Sequence, residues 1–238
     1  MNTPSNMYAG AETWNPFQGC GFDCVYCESS FQRQAKRQKQ RCEKCYDYTP
    51  HCHDNRLSDS IASTPIVFVA GYGDISFCPR KFTRKIIDRI KRHSRLCRKA
   101  KVLYLQSKEP RCFEPFIADF PDNVVLVTTL ETNRHDGYRK ISKAPLPSVR
   151  YEQFKSLEYP RKVVTIEPVL DFDLRTFAAW IRSIRPEYVW LGFNSKPESV
   201  TLPEPSEEKV QELVNRLTDA GIAIRPKTMR GVVLPSVD

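Results

Sequence analysis

The chain predicts an α/β fold, a partial (β/α)6-type TIM barrel of parallel strands, and three observations predict it. Its 238 residues suffice for one sizeable core. Short apolar runs alternate with amphipathic stretches from residue 66 onward, as parallel strands joined by helical crossovers require. Polar and charged residues follow directly on the apolar runs, where a barrel carries its chemistry.

Ile66-Val67-Phe68-Val69-Ala70 is the first run, apolar throughout as in a strand buried on both faces. Phe82, Ile86, Ile87 and Ile90 then recur at helical spacing within a basic stretch. Residues 102–105, 124–127 and 163–166 are the next strands, and the proline-containing stretch 144–160 reads as a loop. Asp173 predicts an N-cap for a helix burying Leu174, Phe177, Ala178, Ile181 and Ile184. Residues 188–192 form another strand. Ser206 caps a last helix with Val210, Leu213 and Leu217 inward, Gly221 stops it, and residues 222–224 complete the sheet. The chain is thus one domain over 1–238, with a Cys/His-rich insertion at about 40–56.

No apolar run approaches the roughly 18–20 residues of a membrane span, and the N-terminus lacks the charged-then-apolar pattern of a secretory signal. Nine cysteines without an export signal predict a reducing, cytoplasmic setting, with thiols used for metals. The formal charge of +9 favours a polyanionic partner. Arg33, Lys36, Arg37, Lys39 and Arg41 form one basic run, and eleven basic residues against Asp88 form another over 80–101. Both fit a nucleic-acid backbone, and both also fit a solvated helix face.

Cys20, Cys24 and Cys27, spaced C-x3-C-x2-C in one loop, can close around one face of a cube of iron and sulfide. The loop holds no fourth cysteine. A cluster held by three thiolates leaves one iron open, as a catalytic metal keeps an open position. Half of a zinc site and three buried structural thiols are the alternatives. A second group, Cys42, Cys45, His51 and His53, offers two thiolates and two imidazoles suited to tetrahedral structural zinc. Cys52 faces away in an extended segment and remains a substitute ligand. Cys78, Cys97 and Cys112 lack partners in sequence and read as small buried hydrophobes.

The strand ends supply the other candidates. Gly71 and Gly73 allow a sharp turn and close approach to a ligand, and Asp74 can accept hydrogen bonds from an ammonium group. Ser107 and Lys108 follow the second run, Glu131 the third and Glu167 the fourth. These groups can converge on one cavity at the barrel mouth. Equally, Glu131 and Glu167 can pair with Lys108 or Arg134 in a structural network.

Trp14 to Cys27, Cys42 to His53, Gly73 to Phe77, Gln106 to Pro110 and Ile166 to Pro168 together resemble the radical S-adenosylmethionine (SAM) enzymes, and among them the phage Gp37/Gp68-like subgroup. A more distant likeness is to spore photoproduct lyase. The resemblance implies that Cys20, Cys24 and Cys27 ligate a 4Fe–4S cluster whose open iron chelates SAM. Reductive cleavage would then give a 5′-deoxyadenosyl radical that takes hydrogen from substrate, with a flavodoxin or ferredoxin as one-electron reductant. It also implies SAM contacts from the turn at Gly71, Gly73 and Asp74, where Asp74 replaces the family's usual Glu. On electrostatic grounds a sulfonium would be favoured next to Glu131 or Glu167 in a low-dielectric mouth, while Lys108 could hold a carboxylate. The rival reading is a non-enzymatic, zinc-stapled nucleic-acid-binding protein.

Overall fold

The computed structural model describes residues 10–28, 32–37, 41–62, 64–96 and 102–235, with backbone alone at Arg33 and Ala35. Along the chain run β1 (Ala11–Trp14), β2 (Phe17–Gln18), α1 (Arg33–Lys36), α2 (Glu43–Tyr46), β3 (His51–Cys52), β4 (Ile66–Val69) and α3 (Arg80–Leu96). Then follow β5 (Val102–Gln106), β6 (Val124–Thr129), α4 (Pro147–Ser156), β7 (Lys162–Ile166), α5 (Leu174–Ile184), β8 (Tyr188–Leu191), α6 (Glu207–Asp219) and β9 (Ala223–Pro226). Strands β1-β4-β5-β6-β7-β8-β9 form one all-parallel sheet in that order. The pair β2–β3 is antiparallel and separate.

All six expected strands are present, and β1 adds a seventh at the sheet edge. Its Glu12 and Thr13 are exposed, so β1 lacks the apolar signature by which the buried strands are legible. Side chains along the central strands alternate between two apolar layers. Val67, Leu103, Leu126, Val164 and Val189 pack in the large core with Phe82, Ile86 and Ile90 of α3 and the inward faces of α5 and α6. Phe68, Tyr104, Val127, Val163, Tyr188 and Trp190 form the layer on the other face.

That second layer shows the curl of the sheet. Tyr104 on β5 and Tyr188 on β8 share a hydrogen bond between their hydroxyls. Two strands lie between them, so in a flat sheet their backbones would stand about 14 Å apart, each side chain rising parallel to the other. The hydroxyls meet because the sheet bends toward them. Arg225 on β9 stacks 3.5 Å from the Tyr188 ring centroid, continuing the same concave wall. The result is a half-barrel, with β1 and β9 as its edges among the described residues.

Stretch 144–160 holds α4 where the sequence reads as a loop. Pro147 sits in the first turn, where its missing N–H breaks no helical hydrogen bond. The buried face of α4 mixes Arg150 and Gln153 with Tyr151 and Phe154, so no apolar stripe betrays it. Asp173 precedes α5 but makes no capping hydrogen bond; its carboxylate lies 2.7 Å from Arg134 instead. Ser206 does cap α6, accepting from the Lys209 N–H at 3.3 Å, and Gly221 follows it with φ +76.

On α3, much of the basic run is internally engaged. Arg84 pairs with Asp119, Lys85 with Asp54 at 3.0 Å and Lys91 with Asp119 at 2.7 Å. Arg89 donates to the Leu57 and Asp59 carbonyls. Arg80, Lys81, Arg92 and Arg95 have no ion pair among the described residues. Lys39, Cys97, Arg98, Lys99 and Lys101 lie outside the described residues. No helix among the described residues is long and apolar enough to cross a membrane.

Because Phe154 is fully buried, α4 is expected to be held by core packing. Phe154→Ala should cost about 3–5 kcal/mol, measured by urea unfolding; a loss below about 1 kcal/mol would mean that α4 is not docked.

Candidate cofactor and metal sites

A cavity of about 420 Å³ opens at the C-terminal ends of the parallel strands. Gly71, Gly73 and Asp74 reach it after β4, Lys108 after β5 and Glu167 after β7. Asn194 and Lys196 enter after β8, and Lys227 after β9. Cys20, Cys24, Tyr26 and Cys27 line it from the loop following β2. The topology thus brings most of the sequence-predicted residues to one wall. Ser107 and Glu131 do not line it; both lie fully buried behind it.

The three-cysteine loop is fixed by its backbone. Gly19 has φ +93, its N–H donates to the Tyr72 carbonyl at 3.0 Å, and its own carbonyl accepts from Asp74 N–H at 3.1 Å. A Cβ on Gly19 would sit 2.3 Å from the Thr49 carbonyl oxygen, and one on Gly73 would sit 2.5 Å from Gly19 O. Gly73 is therefore required by the approach of the cysteine loop itself. Neither Gly71 nor Gly73 supplies a left-handed turn; Ala70 does, with φ 55. Asp23 and Tyr48, in the neighbouring loops, are also left-handed without being glycine. Such conformations are sparsely populated and gather where function holds them.

Cys24 is buried, while Cys20 and Cys27 are partly exposed. The Cys24 sulfur lies 3.1 Å from Ser142 Oγ. A hydrogen bond from the Cys27 thiol holds Cys24 down at about 5 against its burial, with Lys108 adding to the effect, and the same bond pushes Cys27 up. Burial pushes Cys20 up. Among the described residues, the group whose donor atoms all come within 4.8 Å of one another is Cys42, Cys45, His51 and His53.

Behind the cavity wall lies a buried charge network. Arg150 Nη2 is 2.7 Å from Glu131 Oε2, and both side chains are 0% exposed. Lys108 Nζ pairs with Glu131 Oε1 and also donates to Tyr26 OH, which in turn donates to Glu131. Tyr138 OH donates to Glu131 Oε2 at 3.2 Å. Burial would raise the Glu131 pKa, but Arg150 and Lys108 outweigh it and hold the carboxyl well below its usual range. Of the two expected partners, Glu131 takes Lys108 and not Arg134, which pairs with Asp171 and Asp173. Glu167 takes neither and pairs with Lys227 at 2.5 Å.

Asp74 is engaged within the protein. Its Oδ1 accepts from Ser76 N at 3.0 Å, Ser76 Oγ at 2.7 Å and Ser107 Oγ at 2.7 Å, and its Oδ2 accepts from Lys108 N at 2.7 Å. The carboxylate ties the turn after β4 to the end of β5, leaving an Oδ2 lone pair as its remaining acceptor. Thr165, also on the cavity wall, keeps a buried hydroxyl without a protein partner.

The second Cys/His group assembles as expected and could hold a metal ion. His51 Nε2 lies 3.4 Å from Cys42 Sγ and 3.3 Å from Cys45 Sγ, and His53 Nε2 lies 3.2 Å from Cys45 Sγ. Tetrahedral zinc at ordinary bond lengths separates such N and S ligands by about 3.5 Å. The Thr49 carbonyl accepts from His51 Nδ1 at 2.7 Å, which turns Nε2 toward the thiols. Burial, aided by Arg56 and His51, lowers His53 to about 4, so its imidazole is neutral and ready to ligate at neutral pH. Cys52 points to the opposite side of β3, into the main core, where its thiol meets that of Cys78. Strand β3 pairs Cys52 with Phe17 and His51 with Gln18, so the metal group abuts the start of the cysteine loop.

Asn194, Lys196 and Lys227 were not legible as site residues, although each follows a strand and the same positional rule reaches them. Arg150, Tyr138 and Tyr48 carry no signal, since they come from α4, a short 3-10 turn and a loop.

About one zinc per chain should bind at Cys42, Cys45, His51 and His53 and be lost from the Cys42→Ser/Cys45→Ser double variant. Metal binding contributes to folding free energy, so chelation should lower Tm, as thermal scans with and without chelator would show. Metal-free protein that melts at the same temperature with and without added zinc would contradict this. The depressed pKa of Glu131 makes its contribution to stability full above the unfolded value of about 4.3 and lost as pH falls below it. Tm should therefore drop on acidification through that window, and less steeply in Glu131→Gln, whose Tm at neutral pH is lower from the start. Equal slopes would remove Glu131 as the titrating group.

No protein-family model matches this chain, and no curated protein matches it either.

Proposed function

We propose that the protein is a radical SAM enzyme on a partial (β/α)6-type barrel extended by one edge strand. The observation that carries this reading is the placement of Cys20, Cys24 and Cys27 on the wall of a cavity at the C-terminal ends of parallel strands. Ligand sites of open parallel sheets lie outside those strand ends. The donor set fits the group: three soft sulfurs on one loop, all on the cavity wall, suit an iron–sulfide core. The cavity fits a polar cofactor, with the unpartnered Thr165 hydroxyl and the Glu167 carboxylate on its wall.

When bound, the cluster and SAM supply one-electron cleavage of a sulfonium bond and hydrogen-atom abstraction from substrate. The chain's own residues do the rest. Cys20, Cys24 and Cys27 hold the cluster as thiolates. Glu167, paired with Lys227, presents a carboxylate to the cavity, where a sulfonium is favoured. Lys108 spends two donors on Tyr26 and Glu131, leaving a third for a carboxylate. Phe22, Tyr26 and Phe68 line the cavity with aromatic surface and limit its water. The Cys42, Cys45, His51 and His53 group is a structural zinc site that pins the loop. The electron comes from a flavodoxin- or ferredoxin-like protein.

The net charge of +9, and Arg80, Lys81, Arg92 and Arg95, which have no ion pair among the described residues, support a polyanionic substrate. The paired Arg84, Lys85 and Lys91 add less to such a surface than the sequence implies.

Anaerobically purified protein should be brown, with iron and sulfide in cluster proportion, and should convert SAM to 5′-deoxyadenosine under dithionite. Cys20→Ala, Cys24→Ala and Cys27→Ala should each lose the iron. Mass spectrometry after addition of DNA, RNA or metabolites then identifies the substrate class. Colourless wild-type protein carrying zinc in both cysteine groups would favour the zinc-stapled, non-enzymatic binding protein.

A further inference from the structure

The buried network behind the cavity has an excess of positive charge. Lys108 and Arg150 are cations and Glu131 is the carboxylate they share. Arg150 and Glu131 are fully enclosed, and the Lys108 side chain is 12% exposed and lines the same cavity as the three cysteines. Arg150 donates to Glu131 Oε2, the Thr129 carbonyl and Tyr138 OH, and does not line the cavity. Lys108 takes Glu131 Oε1 and Tyr26 OH, and Tyr26 stands between Cys24 and Cys27 in the loop. The Lys108 ammonium is 4.8 Å from the Tyr26 ring centroid.

The geometry divides the labour. If Lys108 alone faced Glu131, the pair would be neutral and the thiols would feel little charge. Arg150 neutralises Glu131 from behind, so the charge of Lys108 is left over and directed at the cysteines. The other nearby carboxylate, Asp74, lies on the Cys20 side and is surrounded by four donors of its own, one of them the Lys108 N–H. Two buried cations around one buried carboxylate would be a costly arrangement for stability alone, because an uncompensated charge in a low-dielectric interior is destabilising. An anion on the cavity side would compensate it.

We propose that Lys108 is the fixed counter-charge of the three-cysteine loop: it favours a negatively charged iron–sulfur core on Cys20, Cys24 and Cys27 and raises the potential at which that core accepts one electron. Arg150, acting through Glu131, sets how much of the Lys108 charge reaches the loop. This rests on the reading of the loop as an iron–sulfur site. The physical reason is direct: the reduced core carries one more negative charge, so a neighbouring cation stabilises it over the oxidised form.

The test is a potentiometric titration of the anaerobically reconstituted full chain without SAM. Dithionite supplies the electron, and the reduced cluster is followed by electron paramagnetic resonance, with iron content measured in parallel. Lys108→Met should disfavour reduction at least tenfold, a lowering of about 59 mV for a one-electron couple. Glu131→Gln removes the carboxylate and leaves both cations unopposed, so it should shift the potential upward. Lys108→Arg keeps the charge and should stay near wild type. Opposite signs in the first two variants are what a merely structural role would not produce.

Should Lys108→Met hold no iron, an upward shift in Glu131→Gln together with an iron-loaded Lys108→Arg supports the proposal. Unchanged potentials, or shifts of the same sign, in a brown wild-type background overturn it while leaving the cluster intact. A wild-type protein that takes up no iron overturns the iron–sulfur reading itself.

Discussion

At Gly19 three stretches of backbone pass so close that no side chain fits between them. The strand β2 ends there, the Thr49–Pro50 segment of the Cys/His insertion presses on its Cα, and the turn after β4 bonds to it on both sides. Gly73 faces the same crowding from its side. The cysteine loop leaves this junction directly, with Cys20 N–H donating to the Tyr48 carbonyl at 3.2 Å. Everything at the cavity mouth inherits its position from that crossing. The insertion's metal group sits one strand pair away, through Gln18 opposite His51 and the 2.5 Å contact of Cys45 with Gln18. A metal held by Cys42, Cys45, His51 and His53 would stiffen the loop without touching it.

The curl of the sheet supplies the other half of the geometry. A flat sheet of seven strands would spread the residues that follow β4 and β9 far apart, at about 4.8 Å per strand. Curvature around the Tyr104–Tyr188 pair and the stacked Arg225 turns those strand ends toward one another. The aromatic layer fills the concave side lower down, and the space above it is the cavity. One set of side chains thus stabilises the bend and forms the floor beneath the site.

Polar groups around the cavity are arranged in two tiers. Asp74 and Ser107 bind backbone and each other, and hold the turns in place. Glu131, Arg150 and Tyr138 lie deeper and hold Lys108 and Tyr26. Groups with capacity to spare lie on the surface of the cavity: the Thr165 hydroxyl and a donor of Lys108. Inner groups that fix the turns and outer groups with donors or acceptors to spare are how a site is pre-organised for a ligand.

The sequence by itself determined the strand alternation, the helices α3, α5 and α6, the two cysteine groups and the positions after strands where chemistry collects. These are local signals: apolar periodicity, thiol spacing, a serine cap and a stopping glycine each act within a few residues. Strand β1 and helix α4 escaped that reading because an edge strand with exposed polar residues, and a helix burying an arginine, carry no apolar stripe. Which carboxylate meets which cation was decided only by the tertiary structure. Glu131 finds Arg150 from α4 and Glu167 finds Lys227 from the end of β9, partners 19 and 60 residues away. Such pairings follow from how the sheet curls and which helix covers it, and charge alone, being long-ranged and non-directional, does not choose among the many lysines and arginines of the chain.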